Sequence, residues 1–195
     1  MPELLFPFNH IPIARTIWEE HPTYNQELIS FIKDFDNQNK IDPKKIVAGQ
    51  IKHNVSESSP RLDFFKKANI KPINKFVTFI EEAIIELYYE LWNLQTVAKS
   101  SPIKGKTVIH ESWYHITSYG GYHDYHDHYS SNCHLCGIYY LRLRDPELKT
   151  DFLNTPELAV EEGDILFFDS HAPHRSPPNH TKHDKIILAF NLELS

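Results

Sequence analysis

Histidine is the residue type that stands out in this chain, and most of its histidines are concentrated in the second half. Ten of the 13 histidines fall within residues 110–183. Imidazole is a common metal ligand, and it is the side chain that most readily exchanges a proton near neutral pH. The composition therefore points to residues 110–183 as the region that carries chemistry.

The most informative histidine spacing is His126-Asp127-His128. In a β-strand, His126 and His128 would point to the same face, because side chains alternate along a strand. Two imidazoles side by side on an inward face are unfavourable unless a metal ion or another partner lies between them. The spacing therefore predicts two ligands of a metal ion.

His174 is the candidate third ligand. It follows an acidic turn, Glu162-Gly163-Asp164, a predicted buried strand and a short irregular link, so it would face the first pair from a later strand. Three ligands on one face of an octahedron leave three positions open, as in the facial-triad iron(II) oxygenases, whose usual set is two histidines and one carboxylate. Asp124, or Asp127 after a bulge, could supply a carboxylate here, but we rank both below His128.

The other histidines are expected to play smaller parts. His115 lies on an alternating strand, where it could line the cavity of the metal site. His171 is expected near the site or at the surface. We expect loop or surface positions for His123, His134, His180 and His183.

The first half of the chain has the pattern of helices after an extended start at about 4–17. Thr23-Tyr24-Asn25-Gln26 fits a capping box, and Ser59-Pro60 fits a second helix start. The strongest predicted helix covers about 72–98, where apolar residues recur at alternating steps of four and three. Its stripe, which we interpret as core packing, consists of Ile73, Val77, Ile80, Ile84, Leu87, Leu91 and Leu94.

The second half changes to the pattern of short strands rich in β-branched and aromatic residues. The predicted strands are Lys106–Thr117, Tyr125–Ser130, His134–Arg144, Ile165–Asp169 and Lys185–Glu193, and turn signals such as Gly120-Gly121 separate them. Such spacing is typical of an antiparallel sandwich or barrel. Helices followed by strands predict an α+β protein in which the helices pack against one sheet.

Size, charge and cysteine content narrow the class of protein. A length of 195 residues fits one domain, and a net charge of −6 disfavours duplex nucleic acid and anionic membranes as partners. Glutamates interrupt the longest apolar stretch, and the N-terminus lacks the basic region of a signal peptide, so we expect a cytoplasmic protein without a membrane span. Cys133-His134-Leu135-Cys136 resembles half of a zinc site, but no second cysteine pair exists. We interpret Cys136 as a plain buried cysteine.

Several stretches in order resemble the 2-oxoglutarate/Fe(II)-dependent oxygenases, specifically the bacterial and phage branch with an H-x-H motif and a prolyl-hydroxylase-like jelly roll. The matching stretches are Leu5-Phe6-Pro7, Trp113-Tyr114-His115-Ile116, Gly120-Gly121-Tyr122, His126-Asp127-His128, Gly137-Ile138-Tyr139-Tyr140-Leu141, Gly163-Asp164-Ile165-Leu166-Phe167-Phe168, Ala172-Pro173-His174 and 184–191. The resemblance implies a double-stranded β-helix, a cupin-like jelly roll with N-terminal helices on the outside of one sheet. It fits a single domain over 1–195, with the extended segment and supporting helices in 1–102 and the jelly-roll core in 103–195.

The resemblance also implies roles for individual residues. His126 would be the first and His174 the last catalytic iron ligand, and His128 stands where most of the superfamily has Asp. Lys185 occupies the place of the usual Arg that holds the far carboxylate of 2-oxoglutarate, and Tyr140 would add a hydrogen bond. Arg175 and Arg142 are alternative cations, since alternation places Arg142 on the same face as Tyr140. The implied reaction uses Fe(II), 2-oxoglutarate and dioxygen to hydroxylate a substrate, with release of succinate and carbon dioxide.

Other functions are compatible with three histidines in a jelly roll. A cupin-type thiol dioxygenase needs iron but no 2-oxoglutarate, and a zinc enzyme would use the same three ligands and a water. A jelly roll that binds a metal or ligand without catalysis is the rival from another class. The sequence does not identify the primary substrate, for which we expect a small molecule or an amino-acid side chain. Pairing of cupin-like sheets would make the protein a homodimer.

Overall fold

The computed structural model describes residues 3–5, 13–39, 52–57, 63–95, 107–128 and 133–194. Within these ranges the helices are α1 (His21–Gln38), α2 (Phe64–Ala68) and α3 (Lys71–Gln95), and a short 3-10 helix covers Pro146–Leu148. The strands are β1 (Glu3–Leu5), β2 (Ile13–Ile17), β3 (Lys52–Glu57), β4 (Thr107–His126), β5 (Leu135–Arg142), β6 (Asp151–Phe152), β7 (Asp164–Asp169), β8 (His174–Ser176) and β9 (Lys185–Leu194).

All strand pairs in the described residues are antiparallel and belong to one continuous sheet. The strand order is β1-β2-β7-β5-β9-β4-β8-β6, and β3 also pairs with β4. The long strands β4 and β9 pair along most of their length, from Thr107 opposite Leu194 to Thr117 opposite Lys185. Because β1, β2 and β3 precede residue 102, the first half of the chain contributes strands to the sheet as well as helices.

Two helices differ from the sequence prediction at their starts. Helix α1 begins at His21, with Glu20 before it making no side-chain cap and Pro22 in the first turn, so the capping-box start at Thr23 is wrong. Proline fits there because the first helical N–H groups need no partner within the helix. Helix α3 begins at Lys71, two residues before the predicted stripe, and ends at Gln95. The start predicted at Ser59-Pro60 lies outside the described residues, as do the side chains of Leu91 and Leu94.

The largest difference among the strands concerns β4, which runs without interruption for 20 residues. The turn predicted at Gly120-Gly121 lies inside this strand, where Gly120 adopts a positive φ of 71° that a residue without Cβ tolerates. The separate strand predicted over Tyr125–Ser130 is wrong in the described part, because β4 ends at His126. The strands β3, β6 and β8 were not predicted from the sequence.

Side chains of the sheet divide between two apolar clusters on its two faces. The first cluster lies under the helices. In it, apolar side chains of α3 such as Phe76 pack against alternate strand residues such as Tyr139 and Phe190. Trp18 packs at its centre, with ring centroids 5.2 Å from Phe76 and 5.8 Å from Tyr139. The second cluster fills the other face and includes Tyr140, Phe168 and Ile187. No helix in the described part of the chain has the length and apolar character needed to cross a membrane.

Candidate metal centre

The structure brings together the three histidines that the sequence singled out. His126, His128 and His174 each offer a ring nitrogen, and these atoms lie within 4.8 Å of one another. The ring centroids of His126 and His174 are 4.3 Å apart, and His128 lies 5.3 Å from each of the other two. Such a group of imidazoles can converge on one metal ion.

Two different structural devices position the three rings. His126 is the last residue of β4 and His174 the first of β8, and the two are direct cross-strand partners. His128 follows the end of β4, so the prediction that His126 and His128 share a strand face as i and i+2 is wrong. The backbone N–H of His128 instead donates to the carbonyl of Ser170 at 2.9 Å, which fixes it beside the pair.

Hydrogen bonds to backbone carbonyls set the tautomer of two rings. The Nδ1 atom of His126 lies 2.9 Å from the carbonyl oxygen of Asp124, and Nδ1 of His174 lies 2.9 Å from that of Ala172. Because a carbonyl oxygen only accepts, Nδ1 carries the proton in both rings, which leaves the Nε2 lone pair for a metal. Metal-binding histidines are commonly oriented by such a bond from the second ring nitrogen.

Burial keeps His174 in the form that a metal requires. Its residue is 5% exposed, and its ring packs against Phe168 with centroids 4.8 Å apart. The pKa of His174 lies well below its ordinary value. The main cause is burial, and the neighbouring His126 and His128 lower it further. A neutral imidazole is the ligating form, so the site is ready for a cation at neutral pH.

The residues fit a metal ion bound by three neutral histidines. Among the described residues, this cluster is the one group of three or more histidine, cysteine or acidic side chains whose ligand atoms converge. Asp124 and Asp127 are both exposed and do not belong to it. Zinc and iron(II) both accept imidazole ligands, so the donor set fits either ion.

Lys185 lies in the wall of the cavity that the three histidines line. It is the first residue of β9 and only 2% exposed, and its Nζ donates to Ser176 Oγ at 2.9 Å. Burial lowers the pKa of Lys185 to about 7. Within the described ranges no carboxylate forms an ion pair with it, so the cavity contains a buried amine whose charged form an anion would stabilise.

The other predicted co-substrate residues have different positions. The hydroxyl of Tyr140 is fully buried and accepts a hydrogen bond of 2.9 Å from the backbone N–H of Thr150, a cavity residue. Burial raises the pKa of Tyr140 to about 12, so it stays protonated and keeps an O–H to donate. His115 is buried and lines the cavity, and Arg175 lines it too.

Arg142 does not share the face of Tyr140, which corrects the prediction from alternation. Tyr140 pairs with Ile187, but a bulge follows it, and Arg142 pairs with Ile186. Ile186 belongs to the cluster under the helices, so Arg142 lies on that side of the sheet. The charge of Arg142 helps to lower the pKa of Asp184, which pairs with Lys33 of α1. One extra residue in a strand reverses the alternation, and Arg142 is therefore directed away from the metal centre.

His123 is the main cavity residue that sequence reasoning assigned elsewhere. The expectation of a loop or surface position is wrong: His123 is buried in β4, lines the cavity, and stacks on His126 with centroids 3.8 Å apart. Its cross-strand partner is Ser176, the residue that holds Lys185. A strand of three residues such as β8 is too short to show a recognisable sequence pattern. The position of His123 opposite Ser176 could therefore not be predicted.

No protein-family model matches the sequence, and no curated protein matches it. Solved structures match over nearly the whole chain. A prolyl-4-hydroxylase from Pseudomonas putida aligns with a TM-score of 0.57 and 11% identity, over 93% of this chain and 92% of that one. HygX from Streptomyces hygroscopicus, with nickel and 2-oxoglutarate bound, aligns with a TM-score of 0.60 and 11% identity, over 96% and 85%.

A further HygX structure, with nickel, 2-oxoglutarate and hygromycin B bound, has a TM-score of 0.57 and 10% identity, over 96% of this chain and 85% of that one. At such identities the likeness concerns the fold. The antiparallel sheet with helices against one face aligns with these structures along nearly the whole chain. The predicted α+β double-stranded β-helix is therefore confirmed, and the chain has the fold of the prolyl-4-hydroxylase and of HygX.

Proposed function

We propose that this protein is an Fe(II)/2-oxoglutarate-dependent dioxygenase that hydroxylates a small molecule or an amino-acid side chain. The observation that carries the proposal is the arrangement of one cavity. Three histidines converge at one place in its wall, and the buried amine of Lys185, which has no carboxylate partner among the described residues, lies in the same wall. A metal site and a cation together suit a co-substrate that has a chelating end and an anionic end.

The three histidines would hold the iron through Nε2 of His126 and His174 and a ring nitrogen of His128. Iron with 2-oxoglutarate bound supplies the oxidative decarboxylation of the co-substrate to succinate and carbon dioxide, coupled to oxygen insertion into a C–H bond. The protein's part is to orient the imidazoles. The carbonyls of Asp124 and Ala172 do so by accepting the Nδ1 protons.

Lys185 would bind the far carboxylate of 2-oxoglutarate. Burial penalises its charge, so a pKa of about 7 leaves much of Lys185 neutral at physiological pH. A bound carboxylate compensates that penalty and favours the ammonium form. Ser176 Oγ, 2.9 Å from Nζ, fixes the side chain in place. The O–H of Tyr140, behind the cavity residue Thr150, would add a hydrogen bond from the neighbouring strand β5. Lysine gives a point charge, so this contact has less directionality than an Arg fork.

The cavity wall would also exclude water from the metal. Trp113 packs near His128, with ring centroids 5.6 Å apart, and Phe168 packs on His174. Ile187 and Ala189 of β9 continue this apolar lining. Water exclusion strengthens the electrostatic contacts in the cavity and protects reactive species from side reactions.

The structural neighbours agree with this proposal in what they bind. HygX has been crystallised with nickel and 2-oxoglutarate, which are a divalent metal and the proposed co-substrate. A thiol dioxygenase or a zinc hydrolase would use the histidines but would give no role to a buried lysine that has no carboxylate partner in the described ranges. That lysine is the reason we favour 2-oxoglutarate over these alternatives.

The test is an anaerobic titration of the metal-free protein with Fe(II) and then 2-oxoglutarate, followed by visible absorption. We expect a metal-to-ligand charge-transfer band that saturates at one equivalent. In Lys185→Met the same band should need about 10–100-fold more 2-oxoglutarate, because a charge-assisted hydrogen bond is lost. Lys182→Met changes an exposed lysine three residues away and should titrate as the unmodified protein does. Iron binding with no band would contradict the proposal and favour thiol substrates or zinc.

A further inference from the structure

Two cysteines lie beside the metal centre and have no role in the proposed function. Cys133 and Cys136 are the only cysteines of the chain, and both are buried. Their Sγ atoms are 3.6 Å apart. A disulfide has an S–S distance of about 2.05 Å, so a movement of about 1.5 Å would join them. The pair is thus close enough for oxidation without unfolding.

The cysteine pair lies at the wall of the metal cavity. Cys136 lines the same cavity as the three histidines, and its Sγ lies 3.4 Å from Oδ1 of Asn191, another lining residue. Cys136 therefore borders the cavity, and Cys133 is the more exposed residue of the pair, at 8% against 2%. Cys133 lies directly before β5, at the end of the chain segment that begins at His128.

The two thiols differ in reactivity. The hydrogen bond with Cys136 lowers the pKa of the Cys133 thiol, whereas the same bond, and then burial, raise the pKa of the Cys136 thiol. The thiolate is the nucleophile in thiol–disulfide exchange. Cys133 would therefore attack first, and Cys136 would complete the reaction.

We propose that Cys133 and Cys136 form a dithiol site that low-molecular-weight disulfides oxidise to an intramolecular disulfide, and that this disulfide weakens metal binding at the adjacent centre. The Cys133 thiolate attacks one sulfur of the reagent, forms a mixed disulfide and releases one thiol. Cys136 then loses its proton and attacks the Cys133 sulfur, which releases the second thiol. The protein gives up two electrons and two protons, and the reagent disulfide becomes two thiols.

A short chain of backbone hydrogen bonds connects the dithiol to a metal ligand. The N–H of Ser170 donates to the carbonyl of His134, which lies between the two cysteines, at 3.2 Å. The carbonyl of Ser170 in turn accepts from the N–H of His128 at 2.9 Å. Closing the disulfide would move the 133–136 segment, and Ser170 would pass this movement to His128. This coupling adds a regulatory site to the proposed function, but disulfide formation itself does not depend on that function.

The test begins with metal-free protein in buffers of defined ratio of oxidised to reduced glutathione. After alkylation, intact mass spectrometry should show loss of two hydrogen atoms and protection of both cysteines, and peptide mapping should join Cys133 to Cys136. Failure of the native protein to form this bond, in buffers that oxidise the urea-unfolded chain, would overturn the proposal. So would a disulfide that joins two chains.

The second readout is the affinity for Ni(II), measured by calorimetry on the reduced and the oxidised protein. We expect oxidation to weaken nickel binding by roughly tenfold, as for loss of a group that orients a ligand. Cys133→Ser and Cys136→Ser should each bind nickel like the reduced protein and should not respond to oxidised glutathione. Equal affinities of the two redox forms would overturn the coupling. Loss of nickel binding by all forms would count against the three-histidine centre instead, so the two proposals fail separately.

Discussion

The two faces of the same strands have opposite characters. In β9, Ile186, Leu188, Phe190 and Leu192 belong to the cluster under the helices, whereas Lys185, Ile187, Ala189 and Asn191 line the metal cavity. In β4, Tyr114 and Ile116 face the helices, and Trp113 and His115 face the cavity. The helix face is filled with large apolar side chains. The cavity face combines apolar side chains such as Trp113, Phe168 and Ile187 with histidines, small residues and a buried amine.

The helix face contributes mainly to the stability of the fold, and the cavity face contributes mainly to binding. Rings such as Trp18, Phe76 and Tyr139 are in mutual contact on the helix face, and that kind of packing gives a fold most of its stability. The cavity face contains clustered imidazoles, of which burial keeps His174 neutral, and a buried lysine without a carboxylate partner among the described residues. Both arrangements cost stability. Substitutions on the two faces should therefore have effects that can be told apart.

The largest effect is expected for His174→Ala on the cavity face. Loss of one of three ligands should weaken binding of Ni(II) or Fe(II) by on the order of 10³-fold, because two histidines bind a metal far more weakly than three. Calorimetry measures this affinity, and circular dichroism should show that the fold persists. His180→Ala, which changes an exposed histidine, is the matched control. Unchanged metal affinity in His174→Ala would contradict the ligand assignment.

The corresponding change on the helix face is Phe76→Ala. Phe76 is fully buried, with ring centroids 4.5 Å from Tyr139 and 5.2 Å from Trp18. Its truncation should lower the free energy of unfolding by about 3–5 kcal/mol. Urea denaturation measures this loss, while the nickel affinity of the folded protein should stay within about twofold of the original. A large loss of nickel affinity in a Phe76→Ala sample that is fully folded would show that the two faces are not independent.

Lys185→Met should change how stability depends on pH. The pKa of Lys185 is about 7 in the folded protein and about 10.5 in the unfolded chain, so the unfolded state binds more protons between these values. Stability of the unmodified protein therefore rises with pH in this window, and the lysine is most destabilising below about pH 7.

From about pH 6 to about pH 9, the unmodified protein should gain about 2–3 kcal/mol relative to Lys185→Met. Urea denaturation of the metal-free forms at several pH values provides the measurement. Comparison with the variant removes the contributions of all other titrating groups. Parallel stability curves for the two proteins would show that Lys185 is solvated.

The smallest effect is expected for Tyr114→Phe on the helix face. The hydroxyl of Tyr114 donates to Asp36 Oδ1 at 3.0 Å in a buried position. Removal of this one hydrogen bond should cost about 1–2 kcal/mol of unfolding free energy and leave metal binding unchanged. A destabilisation as large as that of Phe76→Ala would show that the Tyr114–Asp36 pair organises the packing of α1 on the sheet.

The sequence predicted most of the elements that have a clear period. The stripe of α3 and the strands β5, β7 and β9 were located to within a few residues, since each shows a long apolar pattern between turn signals. The sequence pattern does not show which residues of β9 face the helices and which face the cavity, because apolar residues such as Ile186 and Ile187 occupy both faces. Only the pairing with β4 and the packing of the helices show which residue faces the cavity.

The candidate site was predicted where residue type alone was informative. His126, His128 and His174 could be grouped because three histidines at such places suggest a metal, even though the strand geometry assumed for His128 was wrong. Arg142 was placed on the wrong face because one bulge in β5 reverses alternation and leaves no mark in the sequence. The contacts of His123 and Ser176 depend on pairing between β4 and β8, which are distant in sequence.

A crystal structure of the protein with Ni(II) and 2-oxoglutarate, grown without oxygen, tests the central claim most directly. The account predicts nickel bound by His126, His128 and His174, and the far carboxylate of 2-oxoglutarate within hydrogen-bond distance of Lys185 Nζ. A metal ion with an Asp124 or Asp127 ligand, or a carboxylate held by Arg175 while Lys185 keeps Ser176 alone, would contradict it.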